Sequence, residues 1–109
     1  MFKESVIVNK KKKDLEKKQR SSALQLRNKF LGEWASTILQ LYDHKRTNYI
    51  NTVTNYKDNE NKLVIKKIEE DFANSNIKIS FKEIELKVRD FQIKANIIVE
   101  NKFKLSNRQ

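Results

Sequence analysis

The sequence predicts an all-α fold: a four-helix bundle with a long first helix and a flexible basic N-terminal tail. Three observations carry this. The chain has no Pro and one Gly, too few turn-forming residues for the hairpins of a β-rich fold. Its apolar residues recur at spacings of three, four and seven along separate segments, the period of amphipathic helices. Short Asn-, Asp- and Ser-containing stretches divide those segments, which suits helices packed as neighbours through tight links. At 109 residues the chain reads as one domain able to bury roughly 65% of its unfolded surface. No internal repeat at a solenoid period is present.

Residues 1–14 read as a flexible segment. Val6, Ile7 and Val8 are β-branched and lower helix propensity, and Lys10, Lys11, Lys12 and Lys13 form a like-charge run that disfavours compact structure. Residues 1–20 carry half of the net charge of +10. A helical domain is expected over residues 15–102. Its long first helix runs from Leu15 to Tyr42 on the stripe Ala23, Phe30, Leu31, Trp34, Ala35, Ile38, Leu41 and Tyr42, and Asp43-His44 ends it. A shorter helix from Arg46 to Tyr56 carries Tyr49, Ile50 and Val53 on one face. Lys57 to Asn61 is a turn, with Asp58 or Asn59 as a helix cap. The third helix, Glu60 to Ala73, has Leu63 or Val64, then Ile65, Ile68 and Phe72 as its stripe. It closes at Asn74-Ser75-Asn76, Asn being tolerant of the left-handed conformation a C-cap needs.

The fourth helix has the clearest start. Ser80-Phe81-Lys82-Glu83 has the form of a capping box, and Ile79 and Ile84 fall at the positions of a hydrophobic staple. Its stripe is Phe81, Ile84, Val88, Phe91, Ala95 and Ile98, widened by Leu86, Ile93, Ile97 and Val99, so heavy burial is expected. Residues 103–109 are expected to fray.

The composition excludes several classes. With no Cys there is no disulfide and no thiolate metal site, and no apolar run approaches the ~20 residues of a transmembrane helix. The single His, His44, has no second His or Cys nearby and reads as a solvated or capping residue. Glu69, Glu70 and Asp71 are consecutive and fan around a helix, so they cannot converge on one ion. Gly32 stands alone, so there is no phosphate-binding loop. No metal site and no catalytic set is expected: the chain is not read as an enzyme. The basic charge admits a helical nucleic-acid-binding reading or weak contact of the tail with anionic lipid. Against the former, Phe30, Trp34, Phe72, Phe81 and Phe91 fall on core stripes. The abundance of Lys, Asn and Ile beside scarce Arg, Ala, Gly and Pro also marks part of the basicity as compositional.

Two segments carry a resemblance. Arg27-Asn28-Lys29-Phe30-Leu31-Gly32-Glu33-Trp34-Ala35 is similar to Arg-Asn-Lys-Leu-Leu-Gly-x-Trp-Ala, the first-helix motif of the zeta inhibitor subunit family of the bacterial F-type ATP synthase. The block from Val64 to Phe72, with Lys67 and Asp71, followed by Ile77-Lys78-Ile79-Ser80 and Glu83 to Val88, resembles that family's succession of helix, short link and helix. The likeness covers about residues 23–92. It implies a four-helix fold in which Arg27, Asn28, Lys29, Leu31, Gly32, Trp34, Ala35, Lys67, Asp71, Ser80 and Glu83 are the family's structural positions. It also implies an inhibitor of ATP hydrolysis whose N-terminal segment orders on docking and wedges between a catalytic alpha and a beta subunit beside gamma. The segment's contact residues would be Phe2, Glu4, Val6, Ile7, Lys10, Lys11, Lys12, Lys13 and Leu15. Phe2 and Val6 share a helix face, and Phe2 and Glu4 echo the family's opening. The resemblance implies a monomer when free, no specific nucleic acid, and a cytoplasmic protein peripheral to the inner membrane through the ATP synthase. It implies no required cofactor, and at most weak adenine-nucleotide binding, for which no motif places a site.

Overall fold

The computed structural model describes the backbone of residues 2–107 and the side chains of residues 14–105. Among them the fold is all-helical: α1 (Phe2–Ile38), α2 (Asp43–Thr54), a single 3₁₀ turn (Asp58–Glu60), α3 (Asn61–Asn74) and α4 (Phe81–Asn107). The molecule is a rod of 63 × 25 × 20 Å, its length set by α1, which spans roughly 55 Å at the helical rise. α1 is the central element. α2 packs on the C-terminal half of α1, α4 runs antiparallel to α1, and α3 closes over α1, α2 and α4.

The apolar stripes meet in two clusters. The main one joins Leu31 and Ala35 of α1, Val53 of α2, Val64, Ile65, Ile68 and Phe72 of α3, and Ile84 and Val88 of α4. A smaller one joins Ala23 to Ala95 and Val99, with Leu26, Phe30 and Phe103 packed against it. Aromatic pairs bridge the clusters. Trp34 meets the edge of Phe72 at 5.6 Å and of Phe91 at 6.5 Å, and Phe30 lies 6.0 Å from Phe91. Such pairs are worth about 0.5–1.5 kcal/mol each beyond area burial.

Several expected boundaries are corrected. Helical backbone of α1 begins at Phe2, where the first helix was expected to start at Leu15. α1 stops at Ile38, not Tyr42. Gln40 takes a left-handed φ of 57°, its amide donates to the Thr37 carbonyl at 3.1 Å, and the Leu41 amide donates to the Ser36 carbonyl at 2.9 Å. That is a Schellman motif, which satisfies carbonyls the helix end leaves open. Tyr42 is therefore exposed, and Asp43 opens α2 instead of closing α1. The α3 N-cap is Glu60 rather than Asp58 or Asn59 and makes no side-chain cap bond; its carboxylate instead accepts the Lys57 amide at 2.8 Å, closing the 3₁₀ turn.

At the end of α3 the Asn expectation agrees with the structure. Asn76 has φ 60°, and the Ile77 amide reaches the Phe72 carbonyl at 2.8 Å. Val64, not Leu63, is the buried member of that pair. α4 continues past Lys102 because Phe103 packs on the Ala23–Val99 cluster. Heavy burial of α4 is not observed: Val99 is buried, but Leu86, Ile93 and Ile97 lie about half exposed. They fall on the ridge opposite Ile84, Val88 and Ala95, and no other helix covers it.

Candidate functional site

Ahead of Ala23 the body covers little of the described part of α1. Of the described side chains before the first buried residue, Ala23, all but Gln19 are exposed, Leu15 among them at 43%. Phe2, Glu4, Val6, Ile7, Lys10, Lys11, Lys12 and Lys13 lie on α1, but their side chains are outside the described residues.

Where this stretch joins the body sits a buried polar hub. Arg27 is 3% exposed, placed inward because it follows Ala23 by one helical turn on the packed face. Its Nη2 donates to Asn61 Oδ1 at 2.7 Å and to Asn28 Oδ1 at 2.9 Å, its Nε to Asn28 Oδ1 at 3.2 Å, and its Nη1 to Gln92 Oε1 at 3.0 Å. Asn28, fully buried, donates through Nδ2 to the Tyr56 carbonyl at 3.1 Å. One guanidinium thus ties α1 to the start of α3 and to α4, while Asn28 ties it to the link after α2. Burial pulls the Arg27 pKa below its usual value, and the charge of Asp58 opposes that shift.

The remaining motif positions are structural in this geometry. Gly32 is buried under α2: a Cβ there would lie 3.0 Å from Ile50 Cα and 3.3 Å from Val53 Cβ, so the α1–α2 approach needs a residue without a side chain. Leu31 and Ala35 are core, Trp34 fills the gap between Phe72 and Phe91, and Lys29 is exposed. Lys67 and Asp71 form an i,i+4 pair at 3.0 Å. Asp71 Oδ2 also accepts the Tyr49 hydroxyl at 2.8 Å, and Lys67 Nζ lies 5.3 Å from the Tyr49 ring centroid. This node locks α3 to α2. Burial, followed by the bond to Asp71, pushes the Tyr49 pKa up. Of the capping box, the Glu83 amide donates to Ser80 Oγ at 3.3 Å; the return bond from the Glu83 carboxylate is not formed.

Beside the hub lies a cleft of about 810 Å³ lined by Lys17, Arg20, Gln25, Tyr56, Lys57, Asp58, Gln92 and Asn96, among others. Sequence reasoning missed it, and missed Asn61, Gln92 and Tyr49 as partners. These residues come from distant segments, and no local spacing announces them. His44 is exposed in the first turn of α2. Among the described residues no His, Cys, Asp or Glu cluster could hold a metal ion, and no helix is long and apolar enough to cross a membrane. The aromatics Phe30, Trp34, Phe72, Phe81 and Phe91 are engaged by the core, as expected.

Fold and geometry together define a small helical module: a packed body whose long first helix is exposed over its described residues 14–22, Gln19 excepted. The family model described as ATPase inhibitor subunit zeta matches residues 4–97, and the chain belongs to that family. No curated protein and no solved structure matches the chain.

Proposed function

We propose that the protein restrains ATP hydrolysis by the F-type ATP synthase, with the N-terminal part of α1 entering the crevice between a catalytic alpha and a beta subunit beside gamma while the helical body stays outside. The observation that carries this reading is the extent of the family match, which starts at residue 4 and so takes in the segment itself. The exposed stretch of α1 ahead of Ala23 is consistent with it, since a helix that docks in a groove must stand clear of its own body. Phe2, Val6, Ile7 and Leu15 supply apolar anchors, Glu4 a polar contact, and Lys10, Lys11, Lys12 and Lys13 a charge that speeds encounter with an acidic rim more than it tightens the complex. The protein is a monomer when free and sits on the cytoplasmic side, peripheral to the inner membrane through the ATP synthase.

The test adds the full chain, and a variant lacking residues 1–13, to the cognate enzyme and follows ATP hydrolysis. Inhibition by the full chain and none by the shortened one is expected; hydrolysis unaffected by the full chain overturns the proposal. The cleft beside Arg27 is the place for weak adenine-nucleotide binding within the same reading, with Lys17, Arg20 and Lys57 facing phosphates and Tyr56 available to a base. Calorimetric titration with ADP, repeated on Arg20→Ala, checks it: weak heat that the substitution abolishes is expected, and heat unchanged by the substitution rules the cleft out.

A further inference from the structure

One position of the Arg27–Ala35 motif has no task in the packing. Arg27 and Asn28 build the hub, Leu31 and Ala35 are core, Gly32 admits α2, and Trp34 fills the gap between two rings. Lys29 is exposed, and among the described residues it is in no ion pair. It borders a groove of about 350 Å³ formed by α1, the end of α2 and the C-terminal half of α4. The apolar part of the groove is Leu26, Val99 and Phe103, which belong to the Ala23–Val99 cluster. Val99 is 4% exposed, whereas Leu26 and Phe103 are half-buried and leave apolar surface open to the groove. Lys102 of α4 is a second cation on the groove, again exposed and in no ion pair among the described residues. Ser22, Leu26 and Lys29 stand at i, i+4 and i+7, one face of α1, and Val99, Lys102 and Phe103 at i, i+3 and i+4, one face of α4. Cations and apolar surface therefore share one side of the molecule, and among the described residues no Asp or Glu lines the groove.

We infer that this groove binds a single-chain anionic amphiphile, of the chemical class of a medium-chain fatty acid. The aliphatic chain lies on Leu26, Val99 and Phe103, and the carboxylate meets Lys29 and Lys102. An apolar floor beside two cations is complementary to a molecule that carries both an apolar chain and a negative charge. The volume lies at the small end of the ~300–1,000 Å³ range of small-molecule sites, and a partner helix of about 10–12 Å diameter is too wide for it. A second copy brings further positive charge to a surface that is already cationic. Gln25 and Thr54 line both this groove and the cleft beside the hub and so form the wall between them, while Lys17, Arg20 and Lys57 line the cleft alone. The groove is separate from any action on an ATPase, and its test contains none.

The test titrates the full chain with dodecanoate by calorimetry, below the concentration at which the amphiphile self-associates. One dodecanoate per chain is expected. Affinity should rise by about twofold for each methylene from hexanoate to dodecanoate, less than complete burial gives, because the groove is open on one side. Lys29→Ala and Lys102→Ala should each weaken binding by about two- to fivefold, the range of exposed ion pairs. Dodecyl maltoside, which has the chain without the charge, should bind more weakly by about the product of those two losses. Ser22→Phe, at an exposed position on the wall, should fill the groove and abolish binding with helix content unchanged by circular dichroism. Lys66→Ala on α3, an element that contributes nothing to the groove, should change affinity by less than about twofold, since exposed charges far from a site are screened. Affinity independent of chain length, equal binding of dodecyl maltoside, an equal loss from Lys66→Ala, no loss from Ser22→Phe, or saturation at several dodecanoates per chain would each overturn the inference.

Discussion

Arg27 is a buried cation held by side-chain amides of Asn28, Asn61 and Gln92 and bonded to no carboxylate. Its value lies in forked geometry: one planar group reaches α1, α3 and α4 at once, which a lysine ammonium on a flexible stem cannot reproduce. Arg27→Ala leaves amide oxygens of the hub without donors and opens a void, so it should cost about 3 kcal/mol. Arg27→Lys should cost about 1–2 kcal/mol, since the charge remains but the fork is lost. Urea denaturation with an unchanged slope would report both as shifts of midpoint. Tyr49 makes a different prediction, one of pH. Its folded pKa lies above the ordinary 10.0, so the folded state keeps the phenol proton where the unfolded chain loses it. That contribution is complete below about pH 10 and is lost as pH rises beyond it. The natural chain should therefore lose stability above about pH 10 more steeply than Tyr49→Phe, which at neutral pH should be weaker by about 1–2 kcal/mol for the missing bond to Asp71. Parallel alkaline and neutral urea titrations of the two proteins check the sign.

Among the elements, the helix ends separate what a sequence discloses from what it hides. Asn76 was legible as a left-handed C-cap because Asn is one of few residues that tolerate the conformation. Gln40 performs the same task with φ 57°, but Gln has no local reason to do so. The stop is imposed by the turn into α2, which must bring Ile50 and Val53 onto Gly32. Placing Gly at that position removes the steric cost of an L-residue there, about 1–2 kcal/mol, and gives back part of it as unfolded-state entropy. Gln40→Gly should thus raise stability by about 1 kcal/mol, visible as a higher thermal midpoint, whereas Asn76→Ala should lower it by a similar amount. The faces of α4 show the other limit. Periodicity located every apolar position on that helix, but Leu86, Ile93 and Ile97 form a ridge opposed to Ile84, Val88 and Ala95. Which ridge is buried depends on where α1 and α3 lie, and the pattern within α4 does not contain that information. The hub had the same character: Arg27 and Asn28 were visible as a motif, while Asn61 and Gln92 became its partners only through the tertiary contact.

For the molecule as a whole, the proposed function divides stability and partner binding between two ends of one helix. Every buried residue described lies at or after Ala23, and both clusters draw on α1 only from Ala23 onward. The part of α1 ahead of it has no described apolar contact to the body, and an isolated helix of that length is marginal in water. Removing residues 1–13 should therefore leave the urea midpoint and slope of the body within about 0.5 kcal/mol of the full chain, because surface changes away from packed features fall in that range. The same deletion removes the Lys10 to Lys13 run and Phe2, Val6 and Ile7, so any activity lodged in the segment should vanish while the fold persists. A shortened chain that unfolds at markedly lower urea would mean that the segment packs against the body, and loss of inhibition could then be no more than loss of structure. An unchanged midpoint together with lost inhibition assigns the inhibition to the extension itself, and makes Ala23 the boundary between the two roles of α1.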